Sequence, residues 1–323
     1  MADSIVEFVA WPNLQAERLQ DGRVLVAPLP SNTVVALVDK ELNRSTLFMR
    51  SGHGPREAQS FPGAVIVASG SGIRALVSSR DPSRVTVFNS AGGIESEAPS
   101  IVRPDGIGFC DGAVYMSGVD VFGDNFAPGI FKVTRGLPAE MIFPLREGNS
   151  ERPSLNLVQE VHVNNGKVLV GRPNSPTVAI SRRSCDDFHN VAVKLPWFVP
   201  WERALNIRST EAPIQSVVRN VRWFDETSAL LLILRAKPGS VYPKGAVSQG
   251  PPARVPSRKA PPTEAEIHIE TVLVLFDVTT GAVLDQLILP RQGWSFLSNR
   301  ELIRHSFDPD EARYEVFAID LRP

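Results

Sequence analysis

The residues best suited to chemistry are five histidines and two cysteines, and none has a recognised catalytic or metal-binding spacing. The segment from Cys185 to His189 contains three kinds of potential metal ligand. A surface turn is the preferred interpretation, because a zinc site needs at least three convergent ligands. No Gly-x-Ser-x-Gly elbow occurs, and Ser69-Gly70-Ser71-Gly72 precedes a predicted strand, whereas phosphate-binding loops lead into a helix. We therefore predict no catalytic residue and no metal site, and lean against an enzyme.

The two cysteines could also form a disulfide. Cys110 and Cys185 allow at most one disulfide, and the sequence leaves open whether they pair. We expect two buried, unpaired thiols, because free cysteine is among the most buried residue types.

Overall charge argues against a general nucleic-acid binder, because 34 Lys and Arg balance 35 Asp and Glu. The longest apolar runs, Ala229 to Leu234 and Thr271 to Phe276, are much shorter than the roughly 20 residues that cross a bilayer. The N-terminal residues lack the pattern of an export signal. A cytoplasmic location is therefore the default expectation, and a periplasmic or secreted location is the alternative if a signal peptide has been removed.

The elements that must position any site are short strands. Apolar residues come in runs of about four to seven that end at Gly, Pro, Asn or Asp, and helical periodicity is almost absent. One element occurs three times, with Asp21-Gly22, Asp111-Gly112 or Asn165-Gly166 directly before a strand. Such dipeptides supply the positive φ angles of tight turns between antiparallel strands. Each is therefore predicted to be a hairpin turn.

About six such units follow one another at a spacing of roughly 40 to 55 residues, which suits the four-stranded blades of a propeller. The predicted fold is all-β, a single six-bladed β-propeller over residues 1–323 with about four strands per blade. The predicted blades span residues 20–60, 61–99, 100–150, 151–205, 206–291 and 292–323. The last is short of strands, so the N-terminal strand Ser4–Val9 is predicted to complete it and close the ring.

Two short stretches resemble a known group of propellers. Gly52-His53-Gly54-Pro55-Arg56-Glu57 resembles the Gly-x-Gly-Pro-Gly-Glu link between blades in bacterial six-bladed propellers of the NHL/TolB-like superfamily, with Arg56 in place of the last glycine. Residues 84–88, followed by Ala91-Gly92-Gly93, resemble the strand and turn of that group. The resemblance implies the fold and leaves function open, because the superfamily includes binding scaffolds, receptor domains, hydrolases and lyases.

A propeller tunnel raises the question of calcium, which Asp, Glu and Asn oxygens can hold. Candidates near the ends of innermost strands are Asp105, Asp120, Asp124, Asn125, Glu160 and Asn220. No recognisable calcium loop joins them, so scattered surface side chains are the preferred interpretation. No cofactor is predicted, and a central calcium ion is an alternative without a motif.

Two segments that interrupt the strands are candidate partner-binding surfaces. A proline-rich insertion in blade five, at about residues 238–262, is either a solvated linker or a partner-binding arm. The segment from Leu195 to Trp201 contains two Trp that serve either inter-blade packing or a binding surface, where Trp is favoured. The candidate partner-binding residues are Trp197, Phe198, Trp201, Lys244, Arg254, Arg258 and Lys259.

These observations together predict a non-catalytic binding or scaffolding propeller whose partner is another protein. A propeller presents loops from every blade on a rigid disc, so loop variation alone can create recognition. Two alternatives stay open. One is a hydrolase or lyase with a polar or metal-centred site at the tunnel, and the other is a small-molecule or glycan binder that uses the Trp-rich loop.

Overall fold

A computed structural model shows how these segments assemble. It describes residues 14–28, 35–41, 45–51, 57–58, 65–69, 75–80, 83–89, 93–99, 102–120, 128–134, 139–145, 161–200, 216–238, 269–290, 293–307 and 312–321. No helix among these residues has the length and apolar character needed to cross a membrane. The predicted closing strand, Ser4–Val9, and most of the proline-rich insertion lie outside the described residues.

The described strands form six sheets, each with its strands in chain order and its neighbouring strands antiparallel, apart from β4 and β5, which are parallel. The first sheet contains β1 (Leu14–Arg18), β2 (Val24–Pro28), β3 (Val35–Val38), β4 (Ser45–Ser51) and β5 (Glu57–Ala58). The second contains β6 (Val65–Ser69), β7 (Ala75–Arg80), β8 (Ser83–Phe88) and β9 (Ile94–Pro99). The third contains β10 (Val102–Cys110), β11 (Ala113–Asp120), β12 (Pro128–Val133) and β13 (Glu140–Pro144).

The remaining sheets follow the same plan. The fourth contains β14 (Val161–Asn164), β15 (Lys167–Arg172), β16 (Ser175–Ser181) and β17 (Phe188–Ala192). The fifth contains β18 (Val217–Trp223), β19 (Ser228–Ala236), β20 (Ile269–Asp277) and β21 (Val283–Leu289). The sixth has three described strands, β22 (Trp294–Ser298), β23 (Glu301–Phe307) and β24 (Ala312–Ala318).

The first strand of each sheet lies at the centre of the molecule. These strands contact one another in chain order from β1 through β6, β10, β14 and β18 to β22, and β22 in turn contacts β1. The side chains of Arg18 in β1 and Glu301 in β23 join across the last junction at 2.7 Å. Sheets arranged around a central axis in this way form an all-β propeller, as the sequence predicts.

The core lies between neighbouring sheets, which explains the uninterrupted apolar runs of the fifth sheet. In β19, Leu231 and Ile233 face a cluster shared with the fourth sheet, while Leu230 and Leu232 face a cluster shared with the sixth. Successive side chains of a strand point to opposite faces, so a strand between two sheets must be apolar on both. Gly171 lets the fourth sheet pack closely against the fifth, because a Cβ there would lie 2.2 Å from Val221 of the fifth sheet.

The predicted hairpin turns join the first and second strands of their sheets. Asp111 and Gly112 both have positive φ, at 47° and 77°, and Asn165 and Gly166 have 46° and 71°. At Asp21-Gly22 only the glycine is positive, at 88°. Positive φ favours Gly, Asn and Asp, so this repeated turn was readable from the sequence.

The expectation of two unpaired thiols is wrong. Cys110 at the end of β10 is joined to Cys185 in the β16–β17 turn by a disulfide, with a Cα separation of 6.3 Å. Both residues are buried, as predicted. They are 75 residues apart in sequence, so only the packing of the third sheet against the fourth brings them together. The disulfide therefore fixes one inter-sheet junction covalently.

Candidate functional site

One candidate surface is built around Trp197, in the connection between the fourth and fifth sheets. The guanidinium carbon of Arg235 lies 4.4 Å from the centre of the Trp197 ring, within the range of a cation–π contact. Arg235 also donates from Nε to Oε1 of Glu270 at 2.8 Å. These two residues face each other in the register of β19 and β20. We call Trp197, Arg235 and Glu270 the Trp197 stack.

The topology places this stack at the root of the proline-rich insertion. Arg235 is the second-to-last residue of β19, and Glu270 is the second residue of β20, so the insertion leaves and returns next to them. Because neighbouring strands are antiparallel, the β19–β20 connection and the connections between successive sheets emerge on one face of the disc. The Trp197 segment and the two ends of the insertion therefore share a face.

The other predicted partner-binding residues have different positions. Phe198 is 8% exposed and packs in the core shared by the fourth and fifth sheets, so it supports the fold beneath the stack. The rest lie outside the described residues, namely Trp201, Lys244, Arg254, Arg258 and Lys259. Sequence reasoning did not identify Arg235 and Glu270, although both are charges at the ends of apolar strands that flank an insertion.

A second candidate site lies at the centre of the ring. Glu17 in β1 and Arg222 in β18 form an ion pair whose side chains are 9% and 7% exposed. Their strands belong to the first and fifth sheets, with the sixth between them, so the pair links two sheets that are not neighbours in the ring. The sequence analysis missed β1 because Leu14–Arg18 is short and has few strand-favouring residues. The available signal for Arg222 was its position between two apolar residues, Val221 and Trp223, near the end of β18.

His162 and Phe296 complete this tunnel cluster. The backbone N–H of Trp223 donates to Nδ1 of His162 at 3.1 Å. Burial, together with the positive charge of Arg222, holds the pKa of His162 well below its usual value, so the imidazole is neutral near pH 7. The guanidinium of Arg222 also lies 5.8 Å from the centre of the Phe296 ring. The cluster thus contains one cation, one carboxylate and one neutral imidazole.

On the opposite face, a polar group lies beside the disulfide. The hydroxyl of Tyr115 donates to Oδ1 of Asp186 at 2.6 Å, and Nζ of Lys132 donates to Oδ2 at 2.5 Å. These two hydrogen bonds outweigh the opposing effect of burial and lower the pKa of Asp186. Burial and the Asp186 carboxylate raise the pKa of Tyr115. The group therefore ties β11 and β12 of the third sheet to the fourth.

The segment from Cys185 to His189 does not converge on one point. Asp186 turns to the third sheet, whereas His189 lies in β17. Among the described residues, the one group of three potential metal ligands within 4.8 Å is Cys110, Asp111 and Cys185, and the disulfide joins its two sulfurs.

Three of the six calcium candidates lie in the described residues, each on a different strand. Asp105 lies at an irregularity in β10, Asp120 ends β11, and Asn220 lies in β18 at a similar irregularity. The remaining three, Asp124, Asn125 and Glu160, lie outside the described residues. Near the axis, the described charges include the guanidinium of Arg222, which repels a divalent cation.

No protein-family model matches the chain, and no curated protein matches it. Solved structures do resemble its fold. A member of the DUF4221 family from Bacteroides vulgatus covers 98% of this chain and 96% of its own, with a TM-score of 0.62 and 10% identity. The structure of U3-55K covers 94% of this chain and 90% of its own, with a TM-score of 0.53 and 10% identity.

The WD40 repeats of RRP9 are also similar, with a TM-score of 0.50 and 7% identity over 94% of this chain and 76% of that one. WD40 repeats form propellers. The protein is a β-propeller. At these identities the likeness concerns the fold of the propeller alone.

Proposed function

We propose that this propeller is a non-catalytic binding or scaffolding module whose partner is another protein. The observation that carries the proposal is the Trp197 stack at the root of the proline-rich insertion. Trp and Arg are the residues most enriched among those that dominate binding energy, and here a folded sheet holds both beside a long connection. A partner would contact the half-buried Trp197 ring, Trp201, and the basic residues Lys244, Arg254, Arg258 and Lys259 of the insertion.

Rigidity of the stack supports this role. Arg235 is held by Glu270 across the β19–β20 ladder, and their side chains are 16% and 13% exposed. The Trp197 ring is therefore oriented before a partner arrives, which reduces the entropy lost on binding. Phe198, packed in the core directly after Trp197, anchors the same segment.

We also propose the finer architecture. Each of the six sheets is one blade, and Ser4–Val9 forms the outer strand of the last blade. In the other sheets, the outer strand comes directly before the first strand of the next sheet in sequence. Ser4–Val9 likewise comes directly before β1 in sequence. Beside the proposed strand, β24 exposes Val316 and Phe317, 38% and 40% accessible. Membership of the NHL/TolB-like superfamily is part of this proposal and rests on residues 52–57 and 84–93.

The disulfide supports a proposal about location. Disulfides persist in oxidising compartments and are rare in the cytosol of ordinary cells. Of the two locations left open by the sequence, Cys110–Cys185 favours the periplasmic or secreted one. The proposal predicts that the protein isolated from its source, with thiols blocked during lysis, carries no free cysteine.

A hydrolase or lyase site at the tunnel is less well supported. Arg222 and Glu17 neutralise each other there, and the charge of Arg222 disfavours a calcium ion. We therefore propose no resident metal, and elemental analysis of the purified protein tests this. A stoichiometric metal whose removal abolishes an activity would contradict the proposal.

The experiment for the binding role is a pull-down from the native source. The intact protein and a variant that lacks residues 240–266 are used as baits in parallel. We expect the deletion to leave the fold intact, checked by circular dichroism and the unfolding midpoint, and to reduce recovery of specific partners. Equal recovery of the same partners by both baits would show that the insertion is only a linker.

A further inference from the structure

The junction between the third and fourth sheets gathers four atoms suited to a metal ion. The sulfurs of Cys110 and Cys185 and a carboxylate oxygen of Asp111 all lie within 4.8 Å of one another. The Cys185 sulfur lies 3.3 Å from Oδ2 of Asp111 and 3.3 Å from the backbone oxygen of Gly166. These residues come from the end of β10, from two of the repeated hairpin turns and from the β16–β17 turn. Only the packing of the two sheets brings them together.

The spacing of these atoms suits a tetrahedral site. With Zn–S bonds of about 2.3 Å and Zn–O bonds of about 2.0 Å, the ligand atoms of such a site lie about 3.3–3.8 Å apart. The two 3.3 Å separations around the Cys185 sulfur match this spacing. The two sulfurs are joined in the oxidised protein. Once the bond is reduced they separate to non-bonded contact, which is close to the same spacing.

These atoms belong to turns at the surface of the protein. Both cysteines are buried, but Asp111 and Gly112 are exposed in the turn that follows Cys110. Ser184 and Asp186, on either side of Cys185, are exposed as well. A metal ion here needs no internal cavity, because side chains of two surface turns hold it between them. The exposed carboxylate of Asp111 gives the ion access to the sulfurs from solvent.

We propose that the reduced protein binds one zinc ion at this junction, through the thiolates of Cys110 and Cys185 and the carboxylate of Asp111. Thiolate ligands select zinc over calcium and magnesium, and three protein ligands leave a fourth position for water or the Gly166 oxygen. A dithiol reductant supplies two electrons and two protons to break the S–S bond and is itself oxidised to a disulfide. Zinc then displaces the two thiol protons and binds the thiolates.

The disulfide and the zinc ion are thus alternative links between the third and fourth sheets. The zinc site concerns the reduced protein, whereas the proposal of no resident metal concerns the oxidised protein, in which the disulfide occupies both sulfurs. Before the disulfide forms, the same thiols are available to zinc, so oxidation and zinc compete for one junction. This site is independent of the Trp197 stack and needs no protein partner.

The test titrates the full chain with Zn²⁺, and with Co²⁺, which reports thiolate ligands through a charge-transfer band in the near ultraviolet. The protein is reduced with a dithiol, freed of reductant without air, and compared with the oxidised protein. We expect one equivalent of zinc and a thiolate–cobalt band in the reduced protein, and neither in the oxidised protein. Circular dichroism follows the fold, and if reduction alone unfolds the chain, zinc should refold it. A reduced protein that zinc neither binds nor refolds would overturn the proposal.

Two variants and a matched control assign the zinc ion to this junction. Cys185→Ser and Asp111→Asn should each weaken zinc binding by about tenfold or more, because even an outer-shell partner of a metal contributes that much. Asp111→Asn keeps both cysteines, and Asn tolerates the positive φ of this position, 47°. Asp21→Asn, at the same place in the repeated turn of the first sheet, is the control and should bind zinc as the original protein does. Zinc affinity unchanged by either of the first two substitutions would contradict the assignment.

Discussion

The tunnel cluster and the Trp197 stack contain the same three chemical groups in different settings. Each has an arginine, a glutamate and an aromatic ring, Arg222 with Glu17 and Phe296 in the tunnel and Arg235 with Glu270 and Trp197 on the face. Arg235 and Glu270 are opposite each other in one ladder. Arg222 and Glu17 are 205 residues apart and meet only in the assembled ring.

Because the two pairs differ in burial, we expect them to affect different properties of the protein. A buried pair loses its hydration on folding, so removing one partner leaves an uncompensated charge inside the protein. The Arg235–Glu270 pair is part-buried but more exposed than the tunnel pair, so it keeps more of its hydration and its loss should cost less. The tunnel cluster should therefore control whether the ring forms, and the Trp197 stack should control what the ring binds.

The largest expected effect comes from breaking the buried pair. Arg222→Gln should lower the free energy of unfolding by about 3–5 kcal/mol, because the buried Glu17 carboxylate would lose the positive charge beside it. The matched change at the face, Arg235→Gln, should lower it by a smaller amount, about 1–2 kcal/mol. Denaturant unfolding of both variants measures the contrast. Equal losses would mean that burial does not distinguish the two pairs.

The disulfide, like the Glu17–Arg222 pair, joins segments that are far apart in sequence. Replacing Cys110 and Cys185 with Ser should lower the free energy of unfolding by about 2–4 kcal/mol, because the crosslink restricts the unfolded chain. Denaturant unfolding of the oxidised protein, the reduced protein and the double variant provides the measurement. The reduced protein and the double variant should have the same stability, and a reduced protein as stable as the oxidised one would contradict the prediction.

The proposed closure of the ring by Ser4–Val9 predicts the next largest loss of stability. If Ser4–Val9 forms the proposed outer strand next to β24, deleting residues 2–10 should remove that strand and expose the edge of β24. We expect a loss of about 2 kcal/mol, which lowers the unfolding midpoint by about 3 °C in a protein of this size. Thermal unfolding followed by circular dichroism tests this. A midpoint unchanged by the deletion would argue against closure by Ser4–Val9.

A smaller effect concerns pH and is specific to the tunnel. The pKa of His162 is lowered in the folded protein from a usual value of 6.5, so the unfolded chain takes up this proton first as pH falls. The stability contributed by neutral His162 is therefore present above about pH 6.5 and is lost as pH decreases below it. In His162→Gln the decline between about pH 7 and pH 5 should be shallower than in the original protein. Identical pH profiles would show that His162 does not titrate differently on folding.

Local patterns were readable from the sequence, whereas long-range pairings were not. The turns at Asp111-Gly112 and Asn165-Gly166 and the apolar strands follow from backbone preference and strand periodicity. β1 was missed because Leu14–Arg18 has a weak strand signal, and the Glu17–Arg222 pair was missed with it. The disulfide depends on which turns of neighbouring sheets meet. Trp197 was predicted as a binding residue from its type, but its contact with Arg235 depends on how the connection between the fourth and fifth sheets packs against β19.

The affinity for a partner identified in the pull-down is the decisive test of the proposal that the Trp197 face binds a protein. Trp197→Ala combined with Trp201→Ala should weaken that affinity by about 2 kcal/mol or more, about thirtyfold. Arg222→Lys, which keeps the tunnel charge, serves as the control and should bind as the original protein does. Unchanged affinity in the Trp double variant, measured on folded protein, would contradict the claim.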